Sequence, residues 1–316
     1  MSTQDITRTR AWVMAARLQT LPAAAAPVIV GTGLAVHEAV FAPLPALAAL
    51  IGALLIQIGT NFANDYYDAL HGADTPDREG FTRVTSGGLI AAPSVKKAMY
   101  VTFLAAVLVG TYLVYIGGLP ILLIGLLSVA AGIAYTGGPY PLGYHGLGDI
   151  FVFVFFGLVA VTGSYYVQAT AVIASPFPVW IPPETISIAV IIASIPVACL
   201  STSILVVNNL RDRAEDTQTG KRTLAVRFGP KFARVEFASL LFGAYVTPLW
   251  ILQYPQFSLS VLLPYLTLPF GVMATQTVFR ADSGEILNTT LERVGKLLTA
   301  YAVLAGLGFV FTELPW

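Results

Sequence analysis

The chain is cut into long apolar runs, and its charged residues gather between those runs and near their ends. Apolar runs fall at 18–37, 44–69, 95–116, 119–136, 147–173, 184–210, 230–253, 258–280 and 291–312, and LPALAALIGALLIQIGT (44–60) is typical of them. Each is close to the ~20 residues that cross ~30 Å of hydrocarbon at ~1.5 Å per residue, so they read as transmembrane helices and not as the shorter strands of a barrel. With 56% hydrophobic and 11% charged residues, the chain lies far from the ~25% charge of soluble domains. The expectation is an all-α polytopic membrane protein, with nine helices in one bundle forming a single transmembrane domain over 1–316.

Gly and Pro separate the runs: GG at 117–118, GGP at 137–139, PFPVWIPP at 176–183 and GP at 229–230. Pro22, Pro27 and Pro196 lie inside runs and predict kinks. The 17 basic residues test the count. Three lie in the N-terminal region, four follow the second run, seven follow the sixth, and three follow the eighth, extending into the start of the ninth. All 17 therefore lie on one side, which the positive-inside rule makes cytoplasmic. The N-terminus is then cytoplasmic and the membrane is the cell membrane. Residues 1–17 form a polar segment without a signal-peptide core, so the first run is expected to stay in the protein. Trp12, Trp180, Trp250 and Trp316 fall near span ends, as interfacial Trp does. The lone Cys199 excludes an internal disulfide and reads as a small buried residue. Zero net charge argues against nucleic-acid binding, and no obligate protein partner is evident.

The two longest cytoplasmic connections, about 70–94 and 211–229, follow the second and sixth runs. Each is entered through acids. In NFANDYYD, Asn61, Asn64, Asp65 and Asp68 are spaced i, i+3, i+4, i+7, one helical face. In NNLRDRAED, Asn208, Asp212 and Asp216 are spaced i, i+4, i+8, again one face. Acids at a helix C-terminus oppose the macrodipole, and like charges at i, i+4 repel. A chain needing only solubility would carry Lys there. Paired carboxylates with carboxamides suit a hard divalent cation. Mg²⁺ typically takes one or two carboxylates and completes its shell with water and substrate phosphate oxygens. Basic side chains in the adjoining loops can take the remaining phosphate oxygens. At a membrane edge this points to a lipid diphosphate, with the tail among the helices and the head at the surface.

These motifs resemble the two aspartate motifs of the UbiA-type intramembrane prenyltransferases. The chain is most similar to the 1,4-dihydroxy-2-naphthoate polyprenyltransferases of menaquinone synthesis. The similarity runs through RLQTLPAAAAPVIVGTGLA (17–35), NFANDYYDALHGADTPDR (61–78), TSGGLI (85–90), YTGGPYPLGYHGLGD (135–149), GSYYVQ (163–168) and NNLRDRAEDTQTGKRTLAVRFG (208–229). It implies transfer of a polyprenyl chain from its diphosphate to the naphthoate, with release of diphosphate and CO₂. Mg²⁺ is the implied cofactor. The resemblance assigns the metal to Asp65, Asp68, Asp212 and Asp216, with Asn61, Asn64 and Asn208 supporting metal or diphosphate. Diphosphate oxygens fall to Lys221, Arg222, Arg78 and Arg83. Tyr135 is placed beside the reacting carbon, where an interfacial packing role is the alternative. Arg17 faces the acceptor carboxylate, or else snorkels to the interface. The wider family's first motif carries an acid where this chain has Gly72; the next acid, Asp74, lies off the helical face. His71 and His145 read as polar loop residues. Two other readings stay open: the same chemistry on another acceptor (hydroxybenzoate, homogentisate, a chlorophyllide or a glycerol-phosphate ether lipid precursor), or a transporter of divalent cations or phosphorylated solutes.

Overall fold

The apolar runs become helices in the computed structural model, which describes residues 6–70 and 83–312. In chain order they are α1 (Arg8–Ala16), α2 (Leu21–His37), α3 (Pro43–Leu70), α4 (Ala92–Ala134), α5 (Gly148–Val152), α6 (Ala160–Ile173), α7 (Ile188–Arg211), α8 (Arg213–Gln218), α9 (Leu224–Ile251), α10 (Leu268–Arg280) and α11 (Gly284–Phe311). A π-helical stretch, Phe153–Val159, joins α5 to α6, and a 3₁₀ stretch, Leu259–Thr267, leads into α10. Among the described residues there is no strand.

Among the described residues, seven helical stretches are long and apolar enough to cross a membrane, against the nine runs read from the sequence. Two differences account for the gap. Runs three and four form one 43-residue element, α4, and run seven, inside α9, is not among the seven. Helix α4 is not straight. At Gly118 the backbone leaves the helix (φ 65°, ψ −150°), a conformation open to Gly and strained for other residues. Leu119 N–H then donates to Pro178 O at 3.0 Å, which ties the break to the opposite connection. The GG pair thus still divides the run. A Cβ at Gly118 would lie 1.8 Å from Pro178 O. Gly118→Ala is therefore expected to destabilise the protein by at least ~2 kcal/mol, from positive φ and the clash together, read as a lower melting temperature in detergent.

Pro22 lies in the first turn of α2, where its missing N–H is no loss. Pro27 and Pro196 sit inside continuous helices, and the backbone breaks fall at Gly118 and Gly229 instead. Packing follows small residues, as expected where lipid gives no hydrophobic drive between helices. A Cβ at Gly33 of α2 would lie 2.6 Å from Gly306 Cα of α11, so the two backbones nearly touch.

The polar N-terminal segment holds a helix that the hydropathy pattern missed. Helix α1 buries Ala11 and Ala15 against Phe62, Ala63 and Val84, and Trp12 meets Phe62 edge-on at 5.8 Å. The chain then turns at Arg17 (φ 50°) into α2. This lid of α1 and residues 84–90 sits over the end of α3 that carries the first acidic cluster. Cys199 is buried, as expected.

Candidate active site

A cavity of about 360 Å³ opens between α2, α3, the end of α4, the α5–π stretch and α7. Asn64, Asp68, Asn208, Asp212, Asp216 and Lys221 share its wall with Arg83 and Arg211. Phe151, Phe155 and Phe156 form part of an apolar wall. The π-helical stretch carries two of these rings, and Phe151 and Phe155 stack at 5.7 Å. The cavity therefore joins an anionic and cationic mouth to a greasy interior.

Helix α3 does not aim its four polar residues the same way. At ~100° per residue, Asn64 and Asp65 stand a quarter-turn apart, and only Asn64 faces the cavity with Asn61 and Asp68. Asp65 is 2% exposed and is absent from the cavity wall. Its Oδ1 accepts from Val84 N–H at 3.2 Å, and its Oδ2 from Thr85 N–H at 3.1 Å and from the Thr85 hydroxyl. The carboxylate of Asp65 thus anchors the segment that follows the first motif; the resemblance assigned this acid to the metal.

Asp68, 1% exposed, is the acid of this motif that reaches the cavity. Arg83 Nη2 donates to its Oδ2 at 2.6 Å; Tyr144 OH donates to its Oδ1 at 2.9 Å. Lys221 Nζ stands 3.6 Å from Asp68 and 4.0 Å from Asp216. Lys221 thereby links the two acidic motifs across the mouth, and its ammonium also lies 4.8 Å from the centre of the Tyr144 ring. Thr136 donates to Asn64 Oδ1 at 2.9 Å, which turns that carboxamide toward the site.

In the second motif Asp212 separates α7 from α8, yet the i→i−4 ladder continues. Asp212 N–H donates to Asn208 O at 3.0 Å and Asp216 N–H to Asp212 O at 2.8 Å. The expected face through Asn208, Asp212 and Asp216 is preserved. Arg211 closes a two-point fork on Asp212, Nε to Oδ1 at 2.6 Å and Nη2 to Oδ2 at 2.8 Å. The same guanidinium donates to Asn208 Oδ1 and Asn288 Oδ1, each at 2.8 Å.

Arg17 and Tyr135 line the cavity. The Tyr135 hydroxyl lies close to Gly148, where a Cβ would stand 2.9 Å from it. Tyr135→Phe is expected to slow turnover about tenfold, read as the initial rate of product formation. Arg222, which the resemblance assigned to the diphosphate, has an exposed side chain off the cavity wall, and its N–H donates to Tyr144 O at 2.8 Å. His145 gives its carbonyl to Arg227 and stacks on Tyr140. Asp74, Arg78 and His71 lie outside the described residues. Sequence reasoning missed Arg211, Tyr144 and Thr136. The last two lie within YTGGPYPLGYHGLGD, the stretch that shaped the resemblance.

The model of the UbiA prenyltransferase family matches residues 24–290. The chain belongs to this family. Two relatives are 1,4-dihydroxy-2-naphthoate octaprenyltransferases. The Escherichia coli protein is 40% identical over 318 aligned residues, 97% of this chain and 98% of that one. The Mycobacterium leprae protein is 34% identical, with 92% and 93% covered. A solved UbiA homolog from Archaeoglobus fulgidus, bound to DMAPP and Mg²⁺, superposes with a TM-score of 0.60 at 16% identity, covering 95% of this chain and 99% of that one. That likeness places the bundle in the UbiA fold.

Proposed function

We propose that the protein transfers a polyprenyl chain from polyprenyl diphosphate to 1,4-dihydroxy-2-naphthoate, giving demethylmenaquinol, diphosphate and CO₂. The observation that carries the reading is the convergence of Asp68, Asp212, Asp216, Arg83 and Lys221 at the mouth of a cavity with a phenylalanine wall. The two relatives above bear that activity in their names.

The donor set fits Mg²⁺. Among the described residues no three acids stand close enough together to hold a metal by themselves, but Asp68, Asp212 and Asp216 line one cavity with the carboxamides of Asn64 and Asn208, and Mg²⁺ needs only one or two carboxylates when phosphate oxygens complete its shell. Asp68, Asp212 and Asp216 would hold it, with Asn64 and Asn208 beside them. When bound, it neutralises charge that develops on the departing diphosphate. Arg83 and Lys221 offer N–H donors to the same oxygens. Tyr135 lines the cavity wall, beside where the allylic carbon would separate from its oxygen. The phenylalanines exclude water from that carbon, so the ring carbon of the acceptor meets it and water does not. The allylic C–O bond breaks with its electron pair on the diphosphate, and the ring–prenyl bond forms. The carboxylate leaves as CO₂ and returns its pair to the ring, so no net proton is consumed. Arg17, on the cavity wall, is suited to the acceptor carboxylate.

The topology follows the same reading. The break at Gly118 divides α4 into two crossings and α9 supplies another, which makes nine. The N-terminus and the acidic mouth lie on the cytoplasmic side of the cell membrane. Mass spectrometry of the product formed from dihydroxynaphthoate and a mixture of prenyl diphosphates tests the function. Demethylmenaquinol is the expected product. Prenylation of hydroxybenzoate or another acceptor in its place would overturn the assignment.

A further inference from the structure

Deeper along the same face of α3 lies Gln57, one turn below Asn61. It is 8% exposed and lines the cavity, yet its Oε1 is buried without a hydrogen-bond partner among the described residues. The orientation of its carboxamide is fixed by its neighbours. Asn61 Nδ2 donates to Ala16 O and to Thr20 Oγ1, both at 2.9 Å. Reversing Asn61 would set its oxygen against the Ala16 carbonyl, so Asn61 Oδ1 must face Gln57. Thr20 spends its one proton on Arg17 O at 2.9 Å and accepts from Gln57 Nε2 at 2.9 Å. Gln57 Nε2 is also 3.5 Å from Asn61 Oδ1. Every neighbour therefore demands the amino side of Gln57, and its oxygen is left over.

A buried acceptor of this kind is costly unless something donates to it. The prenyl diphosphate cannot, because its oxygens only accept. It is also out of range: Asp68 lies eleven residues on, ~16 Å along the helix. A carboxylate would be repelled. A phenolic hydroxyl supplies the missing proton; the oxygen is covered as it stands, so the Gln57 side chain must shift toward the cavity that it lines for the two to meet. In 1,4-dihydroxy-2-naphthoate the 1-hydroxyl is engaged internally by the neighbouring carboxylate, so the 4-hydroxyl is the free donor.

We propose that Gln57 Oε1 receives the hydroxyl of the aromatic acceptor that is remote from its carboxylate, making Gln57 a specificity-determining residue for dihydroxylated over monohydroxylated naphthoates. This rests on the prenyl-transfer reading above.

The test compares dissociation constants, measured anaerobically so that ring reactivity does not enter. Wild type should bind 1,4-dihydroxy-2-naphthoate about tenfold tighter than 1-hydroxy-2-naphthoate. In Gln57→Met the ratio should fall to within twofold, with the KM for prenyl diphosphate changed less than twofold. A role in packing alone would shift both acceptors together. Should Gln57→Met not fold, 4-methoxy-1-hydroxy-2-naphthoate serves with wild type. It has no proton at that oxygen and should bind no better than the 1-hydroxy compound. Equal binding of the acceptors by wild type, tight binding of the methoxy compound, or an unchanged ratio in Gln57→Met would each overturn the assignment. Product formation by wild type separates the two levels. A wild type that prenylates but shows a flat ratio overturns Gln57 alone, and one that prenylates neither acceptor overturns the function beneath it.

Discussion

Asp68→Asn and Asp212→Asn should each lower prenyl transfer by about three orders of magnitude, and each should also lower the melting temperature, because a buried cation loses its partner. Each substitution removes a carboxylate from the mouth and also strands the cation that it balanced. Asp68 holds Arg83 at 2.6 Å and Lys221 at 3.6 Å. Asp212 holds the Arg211 fork. In the variants those cations face a site with less negative charge to gather a divalent ion, and electrostatic groups aimed at a leaving anion are commonly worth 10²–10³ in rate on their own. The check is initial rate against Mg²⁺ concentration at saturating substrates, with a melt in detergent alongside. The expected curve has a strongly raised half-saturation for Mg²⁺ as well as a lower ceiling. Either variant retaining a tenth of wild-type activity at ordinary Mg²⁺ would contradict the assignment.

The second large effect lies one step away from the chemistry. Asp65→Asn should lower activity more than tenfold while leaving the Mg²⁺ half-saturation within about twofold of wild type. The native carboxylate receives two backbone N–H groups and a hydroxyl. An asparagine offers one oxygen and sets an amino group against a donor. Hydrogen bonds to charged groups are worth ~1.5–3 kcal/mol each, enough to loosen the 83–90 segment and, with it, the position of Arg83. Limited trypsin digestion should then cut after Arg83 faster than in wild type, a product that mass spectrometry identifies. If Asp65→Asn instead raised the Mg²⁺ requirement as Asp68→Asn does, the anchoring role would be replaced by a ligand role.

These two acids, three residues apart, show what a single sequence can and cannot reveal. Charge and spacing were enough to find NFANDYYD and NNLRDRAED, and the one-sided distribution of Lys and Arg put both on the same face of the bundle. Helical spacing alone put Asp65 and Asp68 together; the segment at 84–85 that claims Asp65 lies nineteen residues away in the chain, and nothing local announces it. Tyr144 and Thr136 come from another helix end and meet the first motif only in three dimensions. Helix α1 escaped for a different reason. It buries alanines under a polar exterior, so hydropathy reads it as a tail. Gln57 was visible as a polar residue in an apolar run, but its significance depends on which of its atoms is left without a partner, a property of the folded network.

The Arg83–Asp68–Lys221 and Arg211–Asp212 pairs have a thermodynamic consequence. Before substrate arrives, the mouth is neutralised from within, so a lone divalent ion must displace protein cations, and a lone diphosphate must draw them away from protein acids. When both arrive, each removes the obstacle to the other: the acids turn to the metal as the cations turn to phosphate. The two affinities are therefore linked, and linkage is reciprocal: the factor by which diphosphate tightens the metal is the factor by which the metal tightens diphosphate. A site built this way behaves as an AND gate, favouring the pair over either ion alone.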